Sequence, residues 1–482
     1  MSRFPVVAFL ALSALCLLPT ASAQVPGDLD PGFGTGGATV VDITVNGDPR
    51  STSATGLALQ PDGRVVMGGS TSLIGAATGP DRMVAVRLTG DGDLDGSFGT
   101  GGIVRVDGLT GRTDEGYYDG RVAIGPDGGI YLFNGTQDSN GVVGWVVAKL
   151  TGATGALDAS WDGDGRLVAN GPGSLEAGDI AAVADGNVLI LDDFFDTAPT
   201  PDNQNMSAGR RLPGGAVDTG FGALGWRIVN FDLGTTLHDI ARAVYVQADG
   251  RILVGGRAET GGGGTPPADF AIARLTADGD LDPTFGGGDG KVTLSFDLFT
   301  NVDEVRALAV DARGRIYAGG TAGNFSTASD CALARLLPDG TPDPAFGGGD
   351  GKVTFRFAGA ASGTFNQIFG LALQGDGRIV AVGRGNSGGN RRVGVARLTG
   401  AGDFDPTFGA GGSVVYSFGS AAARPSVGRA VALAEDGSIV LSGYTQLIAG
   451  DNDFVAARLY NDYVFADGFE SGDASYWSAS AL

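Results

Sequence analysis

One short turn, in most copies Asp-Gly, returns along this chain with its glycine at positions 63, 128, 186, 250, 314, 377 and 437, a mean spacing of about 62 residues. Self-similarity at a fixed period means one supersecondary unit that cannot bury its own apolar faces and must stack on its copies. A second anchor keeps the same rhythm: an aromatic, usually followed by glycine, at Phe33, Phe98, Trp161, Phe221, Phe285, Phe346 and Phe408, with Phe469 as a degenerate eighth.

The copy that begins near Asp303 shows the unit. VRALAVDA alternates as a strand, ARG turns, and GRIYAGG is a second strand closing on Gly319-Gly320. DCALARL is a third strand, LPDGTPDPAFGGGDG a long turn, and KVTFRF a fourth. Four short antiparallel strands per unit, seven times over, predict an all-β, seven-bladed β-propeller of four-stranded antiparallel blades. The 86 glycines among 482 residues agree, since each inside a helix costs about 1 kcal/mol, and they lack the strict third-residue period of collagen. ATVVDITV at 38–45 has the character of a fourth strand with no first three before it, while the last unit supplies three strands through Leu459. Pairing the N-terminal strand with the C-terminal three closes the ring and removes two exposed edges. Asp473 to Ser480 is a second candidate for an added strand.

LALQPDGRVVMGG (57–69), DFAIARLTADGDLDPTFGGGDGKVT (269–293) and LALQGDGRIVAVG (371–383) resemble the delta-60 repeat of bacterial secreted and surface proteins. The resemblance covers nearly the whole chain after residue 23. It implies a β-propeller and carries no established catalytic activity. The unit at 177–231 diverges most, with LPGGAVDTGFG in place of the acidic turn.

Repetition also separates scaffold from site. Each third strand carries a cation followed by leucine: Arg87, Lys149, Arg211, Arg274, Arg335, Arg397 and Arg458. The next turn carries Asp95, Asp158, Asp218, Asp282, Asp343 and Asp405, with Asp30 in the N-terminal fragment. A single active site does not need seven copies of its residues. These columns are expected to give one ion pair or capping contact per blade. Cys331 stands in a column of apolar residues and reads as core.

Residues 1–23 have the form of a signal peptide cleaved after Ala23, with Arg3, an apolar run from Val6 to Leu18, and Ala21-Ser22-Ala23. The expected domains are that leader, a propeller over 24–460 and a tail over 461–482. The tail, VFADGFESGDASYWS, resembles a short C-terminal segment of exported proteins of some gammaproteobacteria. The product is expected outside the cell or at its surface, with the periplasm as the other destination, and as a monomer. With 54 acidic against 32 basic side chains the net charge is −22, which disfavours nucleic acid and anionic lipid. No segment after the leader is long and apolar enough to span a membrane.

Motif chemistry assigns no cofactor and no metal. Asp91, Asp93 and Asp95 begin a calcium-loop pattern, but Gly102 stands where the bidentate glutamate belongs. GGGDGK at 286–291 and 347–352 leads into strands, not the helix that a phosphate loop needs. His238, the single histidine, has no nucleophile motif to serve.

The non-repeating connectors 70–81, 108–119, 192–207, 257–268 and 444–452 share one face, and binding resides in variable loops on rigid scaffolds. Two of them set paired aromatics among carboxylates: Tyr117 and Tyr118, and Asp192, Asp193, Phe194 and Phe195. These six are the candidate ligand contacts, suited to a glycan or a protein partner. The function expected is a non-catalytic binding or structural module. The alternatives are a carbohydrate-active hydrolase or lyase using Asp or Glu in the axial mouth, and a calcium-stabilised adhesin.

Overall fold

The computed structural model describes residues 24–462 apart from 46–47, 74–81, 107–115, 138–142, 171–177, 197–202, 234–237, 262–266, 297–301, 325–327, 362, 420–423 and 449. It is a seven-bladed β-propeller, and the described residues contain no helix. Six sheets have four antiparallel strands and one has five. Blade 4 is representative: Asp239–Val246 innermost, then Ile252–Glu259, Ala268–Leu275 and, outermost, Lys291–Leu294. Blade 1 gains its fifth strand from Thr44–Val45, which pairs with the start of Asp48–Leu59.

Closure follows the expected plan. The N-terminal strand, Ala38–Val41, is the outer strand of blade 7 and pairs with Asp451–Leu459, Ala38 opposite Ala457. The amide of Gly27 donates to the carbonyl of Tyr460 at 2.8 Å, so both ends are tied to the same sheet.

The repeated turn requires glycine. All seven turn glycines have φ between +77° and +86°, which a residue with a Cβ adopts only with strain. The turn aspartate accepts the amide two residues on, as Asp249 does from Arg251 at 3.0 Å. In blade 4 the innermost strand is partly exposed along the axis, the second and third strands are buried on both faces, and the outer strand is half exposed. The seven aromatic anchors from Phe33 to Phe408 are 0% exposed, while Phe469 lies outside the described residues; they pack against the turn of the next blade, as where a Cβ added to Gly340 would lie 2.7 Å from the Phe285 ring.

The third-strand cations clamp neighbouring blades. Arg274 donates Nε to Asp282 Oδ2 at 2.8 Å and Nη2 to Thr284 Oγ1 at 2.9 Å, reaches the Pro338 carbonyl of blade 5, and lies 4.6 Å over the Phe285 ring. Arg87 with Asp95 (2.8 Å), Arg335 with Asp343 (2.7 Å), Arg397 with Asp405 (2.8 Å) and Arg458 with Asp30 (2.6 Å) repeat this. In blade 3 the position belongs to Arg210, not Arg211: Arg210 pairs with Asp218 at 2.7 Å. Leu189 lies opposite Arg210 as Val66 lies opposite Arg87, so Arg211 occupies the leucine column. The eight-residue spacing from cation to aspartate, kept in 87–95, 274–282 and 335–343, is the signal that selects Arg210. In blade 2, Lys149 contacts Asp127 (2.6 Å) and Asp158 (3.1 Å) of its own blade.

Candidate functional site

The innermost strands carry a second repeated device. In six blades the pairing of the first and second strands slips by a bulge, at Ala54/Gly56, Tyr118/Arg121, Ala241/Ala243, Val305/Ala307, Ile368/Gly370 and Gly428/Ala430. A bulge re-aims a side chain, and here it aims toward the axis. The bulged residues include Thr55, Arg242, Arg306, Phe369 and Arg429, each eight residues before its turn glycine. The second glycine of the Gly-Gly pair makes room for it. A Cβ on Gly320 would lie 1.9 Å from the Glu304 carbonyl, and one on Gly256 1.8 Å from that of Ile240.

These side chains line an axial cavity of about 180 Å³ to which all seven blades contribute, with Arg121, Asp179, Arg242, Arg306, Phe369 and Arg429 on its wall.

The charges are unbalanced. Glu304 is fully buried and accepts from Arg242 Nε (3.1 Å), with Arg306 Nη2 at 2.5 Å and Arg257 Nη1 at 3.4 Å. Burial raises its pKa, but the three guanidiniums win and hold it at about 2. Asp193 Oδ1 accepts the Ala241 amide at 2.7 Å, Oδ2 accepts from Gln204 at 2.9 Å, and Arg242 Nη1 lies 3.6 Å away. Burial pushes Asp193 up to about 6 against that guanidinium. Asp179 lies 3.8 Å from Arg121 Nε and accepts amides of Ile180 and Val244, each at 3.0 Å.

Three carboxylates thus face four arginines, Arg121, Arg242, Arg257 and Arg306, and Arg384 lies near Arg306 and Arg429. The guanidiniums of Arg306 and Arg429 sit 5.5 and 4.5 Å from the Phe369 centroid. Arg429 is also 5.7 Å from the Tyr444 ring. Nε of Arg384 and Nε of Arg429 are buried with no hydrogen-bond partner among the described residues. Burial lowers Arg384 to about 10, and Arg391, Arg429 and Arg306 add like-charge repulsion. In a chain of net charge −22 this is a cluster of positive charge on the axis.

The six expected contacts fall on strands of blades 2 and 3. Asp192, Asp193 and Phe194 belong to the second strand of blade 3, Val188–Asp196, paired with Asn203–Arg211. The hairpin extends both strands into what reads as a loop. Asp192 and Asp193 are buried at 6% and 2% exposure, and Asp193 joins the axial network. Phe194 is exposed and borders a groove of about 320 Å³ between blades 2 and 3, with Trp145, Trp226 and Arg211. Arg211 lies 6.0 and 5.6 Å from the two indole rings. Tyr117 and Tyr118 fall in the first strand of blade 2, Gly116–Ile124, and their side chains and that of Phe195 lie outside the described part.

Other singled-out residues are placed too. His238 Nδ1 is 3.6 Å from Glu259, and Cys331 is fully buried, its thiol pushed well up by burial. Asp95, the third residue of the calcium-loop pattern, is spent on Arg87.

Four stretches, residues 60–98, 247–285, 314–346 and 374–408, match the family model described as "Domain of unknown function (DUF5122) beta-propeller". These four stretches are similar to the β-propeller repeats of a family of unknown function. No curated protein matches it. Among solved structures, a protein of unknown function from Dyadobacter fermentans DSM 18053 is similar at 9% identity, over 89% of this chain and 99% of that one, with a TM-score of 0.46. A PL25 ulvan lyase bound to -[GlcA(1-4)Rha3S]- is similar at 10% identity over 84% and 93%, TM-score 0.46. The GH43_1 enzyme from Xanthomonas citri complexed with xylose is similar at 11% identity over 89% and 92%, TM-score 0.35. At these scores the likenesses say nothing of this chain's chemistry.

Proposed function

We propose that this delta-60-type propeller is an exported, non-catalytic binding module that takes an anionic group of its ligand, a carboxylate or sulfate ester on a saccharide, into the axial mouth. One observation carries this: Arg121, Arg242, Arg306 and Arg429 line the axial cavity with Asp179 as the carboxylate on its wall, and Nε of Arg429 and of the neighbouring Arg384 is buried without a hydrogen-bond partner among the described residues. A buried cation left short of hydrogen bonds gains more from an anion than an exposed one does.

Two of the three carboxylates favour binding over glycosidic hydrolysis. Glu304 and Asp193 are 0% and 2% exposed and spent on arginines and amides, so neither can protonate a leaving oxygen in solvent. Calorimetric titration of the purified chain with glucuronate, sulfate and glucose tests the reading. Binding of both anions but not glucose, weakened at least about tenfold in Arg429→Ala, is expected. Equal affinity for glucose, or an unaffected variant, would refute it.

A further inference from the structure

The seam where the chain's ends meet holds three carboxylates. Asp42 follows the strand Ala38–Val41, and because Val41 pairs with Phe454, Asp42 falls beside Asp453. Asp451 heads that same partner strand, Asp451–Leu459. One carboxylate oxygen from each of Asp42, Asp451 and Asp453 lies within 4.8 Å of the other two. Asp42 is exposed, while Asp451 and Asp453 are 6% and 1% exposed.

Such closeness is unfavourable for ionised groups unless something compensates it. Asp453 Oδ2 accepts from the Leu447 amide at 3.0 Å. Asp451 Oδ1 is buried and accepts no hydrogen bond among the described residues.

We propose that Asp42, Asp451 and Asp453 bind a hard divalent cation of the calcium class, which staples the N-terminal strand to the C-terminal hairpin. The donor set is all oxygen, with no imidazole or thiolate to favour zinc or copper. The exposed side at Asp42 leaves room for the waters that calcium keeps in its shell of six to eight oxygens. Asp42 is separated from the other two donors by some 400 residues of sequence, so the cation would act on ring closure itself.

Thermal unfolding of the whole chain, in chelator and in millimolar calcium at matched ionic strength, tests this. Calcium should raise Tm saturably by about 2–5 °C, and sodium chloride should not. Asp451→Asn removes one of three repelling charges, so it should match or exceed the wild type in chelator and lose the calcium shift. If that variant does not fold, Asp42→Asn, at the exposed position, should weaken calcium binding at least about tenfold. A wild-type Tm that is the same in chelator and calcium overturns the proposal, as does a full shift in the variant used.

Discussion

Glu304→Gln is the most informative single change in this molecule. The glutamine keeps the size of the side chain and mimics the neutral acid, so the substitution isolates the charge that three arginines share. Held at about 2 against an ordinary 4.5, the carboxyl is ionised in the native state with a net preference of some 2.5 pH units, or about 3 kcal/mol. That agrees with the roughly 3–5 kcal/mol lost when one member of a buried ion pair is removed. A lowered pKa places this stabilisation above pH 4.5, and it is lost as pH falls through 2. Urea unfolding of wild type and variant should therefore differ by about 3 kcal/mol at pH 7 and converge near pH 2. The variant also frees Arg242, Arg257 and Arg306, so sulfate should stabilise it more than it stabilises the wild type. A difference under about 1 kcal/mol at pH 7, or one that does not narrow with acid, would refute this account of the axial network.

Gly320→Ala should cost roughly 4 kcal/mol or prevent folding, because the new methyl carbon would meet the Glu304 carbonyl at 1.9 Å; soluble yield and denaturant midpoint measure it. Arg274→Lys should lose about 1–3 kcal/mol, since a lysine cannot hold Asp282, Thr284 and the Pro338 carbonyl together; chemical denaturation reads the loss. Asp239, 1% exposed, is pushed up to about 7 by burial, so the native state holds its proton more tightly than the unfolded chain. Its stabilisation is whole below about pH 4 and lost as pH rises through 7; unfolding at pH 5 and 8 should show a fall that Asp239→Asn reduces by roughly 2 kcal/mol or more.

The architecture was legible because each unit writes its geometry in residues with few alternatives. Only glycine tolerates the positive φ of the turn, and the alternating apolar residues between turns leave little choice but strands. Columns fail where neighbours compete for the same slot: Arg210 and Arg211 are adjacent, and spacing to Asp218, not the following leucine, decides between them. The extended hairpin of blade 3 hid for a different reason, since DDFFD reads as polar loop until Asn203–Arg211 pairs with it. Three of the axial arginines, Arg242, Arg306 and Arg429, recur at one position of the first strand. Nothing local says that a bulge turns that position to the axis; the clue is the glycine one strand later, Gly256, Gly320 and Gly443. Asp42 and Asp451 share no local signal at all, because only ring closure brings them together.

That closure has a kinetic side. Val41 meets Phe454 across roughly 410 residues, whereas strands within a blade meet across about ten. Loop-closure entropy grows as the logarithm of length, which makes the last pairing about 3 kcal/mol more costly to nucleate than a hairpin. The N-terminal strand therefore waits as an unpaired edge until the final blade exists, and the ring is completed last. A circular permutant that joins the present ends and opens at another connector between blades would put all four strands of blade 7 in sequence, and it should complete the ring faster.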